Sequence, residues 1–179
     1  MPSFGVRDPF SSGSAPLKLS DGNITTSLRT TPPMIIAPDF REFAACLNAR
    51  EVRYLIVGGY AVAFHGHPRY TKDFDVWIER TSDNAQRLME ALDDFGFGSV
   101  GLEESDFVEP DQIIQLGYPP HRIDLLTSLL GVEFEACYAD RETVIVERVE
   151  LHFIGLEGLR LNKRASGRHQ DLADLENLE

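Results

Sequence analysis

The sequence predicts an α+β domain, on three observations. A short apolar run, Tyr54–Val57, stops at Gly58-Gly59 and gives way to a helical stretch. A second β-favouring run, Phe74–Ile78, leads into a long amphipathic pattern from Thr81 to Phe95. Further on, two pairs of short strand-like runs precede a helical C-terminus, and no internal repeat is visible.

The chain has 179 residues, 42% of them hydrophobic, which suits one domain with a real core plus a tail. Residues 1–33 are rich in Ser, Thr, Pro and Gly without periodicity and are expected to be a disordered tail, leaving 34–179 as the domain. No run approaches the roughly 18 uninterrupted apolar residues of a membrane span, and the N-terminus lacks the basic-then-apolar order of a secretory signal. A cytoplasmic protein that does not engage membranes is expected. Cys46 and Cys137 have no Cys-x-x-Cys or Cys/His spacing, so both read as small buried hydrophobes rather than disulfide or zinc positions. The net charge of −12 argues against a general nucleic-acid coat protein. One basic cluster, Arg160, Lys163, Arg164 and Arg168, could still present a restricted basic face.

Taken in order, Asp39 and Glu42 have capping-box spacing, and Phe40, Phe43, Ala44 and Leu47 recur on one face of a helix ending near Arg50. Tyr54–Val57 reads as a strand, Gly58-Gly59 as a turn, and Tyr60–His65 as a brief helix closed by Gly66. Phe74–Ile78 is the second strand. Thr81–Phe95 has a Thr-Ser-Asp start, the apolar set Leu88, Met89, Leu92 and Phe95, and a terminal Gly96, which together predict an amphipathic helix. Gln112–Leu116 and Arg122–Thr127 flank a turn at Gly117–His121 and pair as antiparallel strands. A helical turn around Glu133–Tyr138, strands at Thr143–Glu147 and Glu150–Ile154, and a helical region Leu156–Leu178 broken at Gly167 complete the chain.

In Asp73-Phe74-Asp75 the acids are two apart, so on a strand both point to one face and Phe74 to the other. Carboxylates held this close repel, and water, a shared proton or a hard divalent cation relieves that repulsion. An all-oxygen site suits magnesium. Taken alone, Asp-x-Asp is more often a solvated strand face, and an isolated Gly-Gly is more often a plain turn. Here Gly58-Gly59 ends a strand, where backbone N–H groups are unpaired and a phosphate can approach closely. The thirteen residues between Gly59 and Asp73 allow a short helix and a return, so turn and acids can meet. Asp124 interrupts the apolar run Arg122-Ile123-Asp124-Leu125-Leu126, and a buried lone carboxylate calls for a metal or a proton partner. The bland reading is an edge strand with Asp124 in water.

Gly58-Gly59, Asp73-x-Asp75 and the distant Asp124 resemble the signature of the polymerase-beta-type nucleotidyltransferase superfamily. Locally, Gly58-Gly59-Tyr60-Ala61, His65-Gly66, Arg69-x-Thr71-x-Asp73-x-Asp75, Asn162-Lys163-Arg164 and Asp171-Leu172-x-Asp174-Leu175 resemble a minimal bacterial nucleotidyltransferase-like family. That family is related to the AbiE-type toxin nucleotidyltransferases of toxin-antitoxin systems. The resemblance covers Met34 to the C-terminus. It implies a nucleotidyltransferase fold: a small mixed β-sheet with helices mainly on one face, plus C-terminal helices.

The resemblance further implies transfer of a nucleoside monophosphate from a nucleoside triphosphate to an acceptor hydroxyl, with release of pyrophosphate. Asp73, Asp75 and Asp124 would be the catalytic and metal-binding acids, holding two Mg2+ ions, with Mn2+ as a substitute. Gly58, Gly59, Arg69 and Lys163 would bind the nucleotide, supported by Thr71 and Asp171. Where the superfamily commonly has serine after the first glycine, this chain has Gly59, so backbone N–H donors would do that work. His65 and His67 flank Gly66, and two histidines alone do not make a zinc site. The acceptor stays open between RNA such as tRNA, a protein and a small molecule, and an antitoxin partner fits the resemblance. The competing expectation is a catalytically silent nucleotide-binding or protein-interaction module of the same fold.

Overall fold

Pro38 opens the first helix, α1 (Pro38–Ala49), because a missing N–H costs nothing in a first turn. The structure is a computed structural model and describes residues 36–98, 100–118 and 122–178. The expected tail, residues 1–33, lies outside the described residues. Ala37 is the N-cap of α1 and no side chain caps it, so the Asp39/Glu42 capping box is not formed and Asp39 sits in the first turn instead. The helix buries Phe40, Phe43, Ala44 and Leu47, the face read from the sequence.

Strand β1 (Tyr54–Ile56) is wholly buried and runs into α2 (Gly58–Phe64), whose first turn takes in both glycines. Strand β2 (Asp73–Ile78) starts one residue earlier than the apolar pattern suggests and so includes Asp73. Helix α3 (Ser82–Phe95) is capped by the Thr81 side chain, which accepts from the Asn84 N–H, and ends on left-handed Gly96. Both signals had marked this helix in the sequence. The short α4 (Ser105–Val108), which anchors Phe107 in the core, had no such signal.

Strands β3 (Ile113–Leu116) and β4 (Arg122–Leu126) pair antiparallel as expected, while residues 119–121 of their turn lie outside the described residues. Helix α5 (Phe134–Ala139) precedes the hairpin of β5 (Glu142–Val146) and β6 (Val149–Phe153). That hairpin turns through Glu147 and Arg148, both at positive φ. Helix α6 (Leu156–Ser166) stops at left-handed Gly167, and α7 (His169–Leu178) follows.

The six strands form one mixed sheet in the order β3-β4-β2-β1-β6-β5, with seven helices among the described residues, an α+β fold as predicted. Parallel pairing of β2 with β4 places Asp73 beside Arg122 and Asp75 beside Asp124. On the other face of β2, Phe74 stacks on Phe40 with ring centroids 4.7 Å apart and meets the edge of Tyr60 at 5.3 Å. This packing fixes the face on which the acids stand. Cys137 is buried, whereas Cys46 is only half-buried against the core, and both are free thiols. Among the described residues, no helix is long and apolar enough to cross a membrane.

Candidate active-site cleft

Alternation along β2 and β4, together with their register, sets four side chains in a square on one sheet face: Asp73 and Asp75 on one strand, Arg122 and Asp124 on the other. Arg122 Nε donates to Asp124 Oδ1 at 2.8 Å and Nη2 to Asp124 Oδ2 at 3.0 Å. Nη2 also lies 2.8 Å from Asp73 Oδ2. Asp124 is 7% exposed and sits on an interior strand, so the edge-strand reading is overturned, and its buried charge is compensated by Arg122 rather than left alone.

Asp75 is placed differently. Among the described residues, none hydrogen-bonds or ion-pairs with its carboxylate. Burial, and then the charges of Asp124 and Asp73, push its pKa up to about 6, against the opposing pull of Lys163 and Arg69. Its backbone oxygen accepts from Val57 N at 3.0 Å, which binds the end of β1 to the acid strand.

The two glycines lie against this group with no room to spare. Gly58 has φ +61°, and a Cβ there would overlap the Asp75 carboxylate. A Cβ on Gly59 would fall 2.7 Å from Thr71 Cβ. Thr71 Oγ1 in turn donates to the Asp73 carbonyl at 3.3 Å. Glycine at both positions lets the α2 backbone close directly onto the acids.

A second charged group lines the same cleft. Lys163, only 3% exposed, contacts Asp171 Oδ1 at 2.9 Å and Asp174 Oδ2 at 2.7 Å. Arg69 grips Asp174 with both forks, at 2.8 and 3.1 Å. Burial works to raise the pKa of both acids but is outweighed. Lys163 and Ser166 hydrogen bonds hold Asp171 below the usual carboxylate value, and those from Lys163, Arg69 and Gln170 do the same for Asp174. The expected basic face of Arg160, Lys163, Arg164 and Arg168 does not exist as such. Lys163 is buried inward, and Arg160 Nε is spent on the Leu178 carbonyl at 3.0 Å.

All nine residues singled out in the sequence, Gly58, Gly59, Arg69, Thr71, Asp73, Asp75, Asp124, Lys163 and Asp171, line one cleft of about 330 Å³. Two neighbours, quoted within their runs, had been given no role. Arg122 stands two residues before Asp124 on the same strand, so alternation could have put it on the acid face. Asp174, one helical turn after Asp171, could have been found as the second acid of the same helix stripe. His65 closes α2 as read, its Nε2 2.8 Å from the Ile154 carbonyl.

Three acids offer only oxygen donors, the chemistry of a hard divalent cation, and the bare Gly58 lets the Asp75 carboxylate stand where a Cβ would otherwise be, on the cleft lining. The residue types therefore fit such an ion. Their present arrangement does not: among the described residues, no three His, Cys, Asp or Glu side chains converge as a ligand set, and a guanidinium holds Asp73 and Asp124.

The fold is similar to that of a protein from Thermotoga maritima described as "a putative nucleotidyltransferase", with a TM-score of 0.55 and 14% identity over 81% of this chain and 95% of that one, a likeness of fold alone. An antigenic nucleotidyltransferase-like protein from Paracoccidioides brasiliensis matches with a TM-score of 0.45 and 18% identity, over 80% of this chain and 77% of that one. The chain belongs to the family described as "Nucleotidyltransferase of unknown function (DUF6036)", whose pattern matches residues 40–179. No curated protein matches the sequence.

Proposed function

We propose that the protein transfers a nucleoside monophosphate from a nucleoside triphosphate to an acceptor hydroxyl, with release of pyrophosphate. The observation that carries this reading is the three-acid face of β2 and β4 beside Gly58-Gly59, in a cleft that Lys163 and Arg69 also line. Asp73, Asp75 and Asp124 are the residues that would hold Mg2+, two ions in the full complex, with Mn2+ as a substitute, once Arg122 no longer neutralises two of them. When bound, these ions supply positive charge for the phosphoryl oxygens and acidify the acceptor hydroxyl.

The chain's own groups do the rest. The α2 backbone, bare of side chains at Gly58 and Gly59, lets the polyphosphate lie against the end of β1. Lys163 and Arg69, oriented by Asp171 and Asp174, which offset their charge, are the cations whose charge reaches Asp75 and which would face departing pyrophosphate. Asp124 takes the proton of the acceptor hydroxyl as its oxygen attacks the α-phosphorus and the bond to pyrophosphate breaks. The acceptor is an RNA such as tRNA, a protein or a small molecule, in the cytoplasm, and an antitoxin partner would follow from the sequence resemblance to AbiE-type toxins.

A second reading, a nucleotide-binding module without turnover, draws on the guanidinium that closes two of the three acids. Incubation with labelled triphosphates, Mg2+ and cell lysate separates the two. Transfer of label to one macromolecule by the wild type, lost in Asp75→Asn, supports the transferase. Equal labelling by both proteins overturns it, and triphosphate binding without any labelling favours the module.

A further inference from the structure

Arg122 stands where a cation is wanted. Its guanidinium takes both oxygens of Asp124, at 2.8 and 3.0 Å, and one of Asp73, at 2.8 Å, so it spans the two outer acids of the cluster. A fork of this kind matches carboxylate geometry far better than a point charge does. It takes one lone pair on each Asp124 oxygen and sets a positive charge against the acids, so a divalent cation approaching Asp124 meets both a competitor for those oxygens and a like charge.

Arg122 can let go without unpacking the domain. It is the first residue of β4, its side chain is 26% exposed, and it lines the cleft rather than the core. Once released, a guanidinium in a cleft already lined by Gly58, Gly59 and Lys163 has one natural new partner, an anionic polyphosphate.

We propose that Arg122 is a displaceable counter-cation. It neutralises Asp73 and Asp124 in the ion-free protein, competes with a divalent cation for their oxygens, and passes to the polyphosphate when nucleotide enters. Ion and nucleotide then bind cooperatively, because each relieves the cost that Arg122 imposes on the other. This inference rests on the transferase reading for its nucleotide half only. The competition with a cation stands on the ion pairs alone.

The test titrates Mn2+ calorimetrically into the 179-residue chain and its Arg122→Gln variant without nucleotide, then a non-hydrolysable triphosphate analogue into each at saturating Mn2+. Removing a competitor is expected to tighten Mn2+ binding tenfold or more, while the analogue binds at least tenfold more weakly. A purely structural arginine predicts the reverse for the ion: without it the acids splay and Mn2+ binds no better or worse. That result overturns the proposal. Should Arg122→Gln fail to fold, Arg122→Lys, which keeps the charge but not the fork, is expected to gain Mn2+ affinity to a lesser degree, and no gain there is equally fatal. The two readings fail separately. Wild type that binds ion and analogue, with affinities unmoved in the variants, defeats the counter-cation and leaves the transferase standing. Tighter Mn2+ binding in the variant with no analogue bound by either protein supports the competition and defeats the nucleotide half along with the transferase.

Discussion

Gly59 and Thr71 share one volume: a Cβ on the glycine would lie 2.7 Å from Thr71 Cβ and 2.8 Å from Thr71 Oγ1. The serine frequent at this position in the superfamily that the sequence resembles would have no room here. A threonine hydroxyl from the neighbouring segment stands beside the space such a serine would use. The departure from the common pattern is a repacking rather than a simple loss.

Gly59→Ser is accordingly expected to destabilise the protein by about 1–3 kcal/mol, the usual range for overpacking. Adding Thr71→Gly in the same chain is expected to restore part of that loss, since it removes both offending atoms. Urea denaturation of the two single variants and the double variant checks the pair. Purely additive losses would show that the two positions do not compete for space.

Gly58 couples backbone and acid. Its φ of +61° and the overlap of any Cβ with Asp75 mean that Gly58→Ala must either shift the turn or push the Asp75 carboxylate aside. The expected outcome is a modest stability loss of about 1 kcal/mol from the left-handed backbone, with a much larger loss of divalent-ion binding. Calorimetry with Mn2+ and a thermal melt on the same preparation separate the two effects.

Asp75 carries a pH signature. Its pKa, raised to about 6, means that the folded protein keeps this proton to a higher pH than the unfolded chain does. Its ionisation therefore withdraws stability as pH climbs from the ordinary carboxylate range to about 6, and the full penalty persists above that. In the ion-free protein, Asp75→Asn is expected to raise stability at pH 8, by on the order of 2 kcal/mol, with the gain fading toward pH 4. Thermal melts in chelator across this range test it, and a variant less stable than wild type at pH 8 would refute it.

Lys163 should behave in the opposite manner. It is buried with Asp171 and Asp174, so Lys163→Met takes from both the cation they share, leaving Arg69 on Asp174 and the exposed Arg168 on Asp171, and is expected to cost about 3 kcal/mol. Arg168, whose side chain is 81% exposed, contacts the same Asp171, yet Arg168→Ala is expected to cost less than about 1 kcal/mol. Because both acids titrate below the usual value in the folded protein, the cluster's contribution is complete near neutrality and is lost as pH falls through those lowered values. Acid denaturation of wild type should be steeper than that of Lys163→Met.

What the sequence revealed follows from how local each signal is. Thr81 and Gly96 bracket α3 because a cap and a left-handed stop act within one turn. Asp73 and Asp75 could be put on one face because alternation along a strand needs no partner. Arg122 went unread because its meaning depends on register. Only when β4 lies parallel beside β2 does it come opposite Asp73. Lys163 groups with Arg160, Arg164 and Arg168 in the sequence, and its separation from them by burial depends on how α7 packs on α6 beyond Gly167, a tertiary fact. The four-residue α4 is too short for any period to register.

Strand order has a consequence for folding. β2 and β4 are neighbours in the sheet but far apart along the chain, so the third acid arrives only when a long loop closes. A strand bringing Asp124 alone would meet the electrostatic repulsion of Asp73 and Asp75 in the step that seals the sheet. Arg122 rides on the same strand, two residues ahead, and salt-bridges Asp73 on docking. The charge that would oppose assembly is delivered together with the charge that neutralises it.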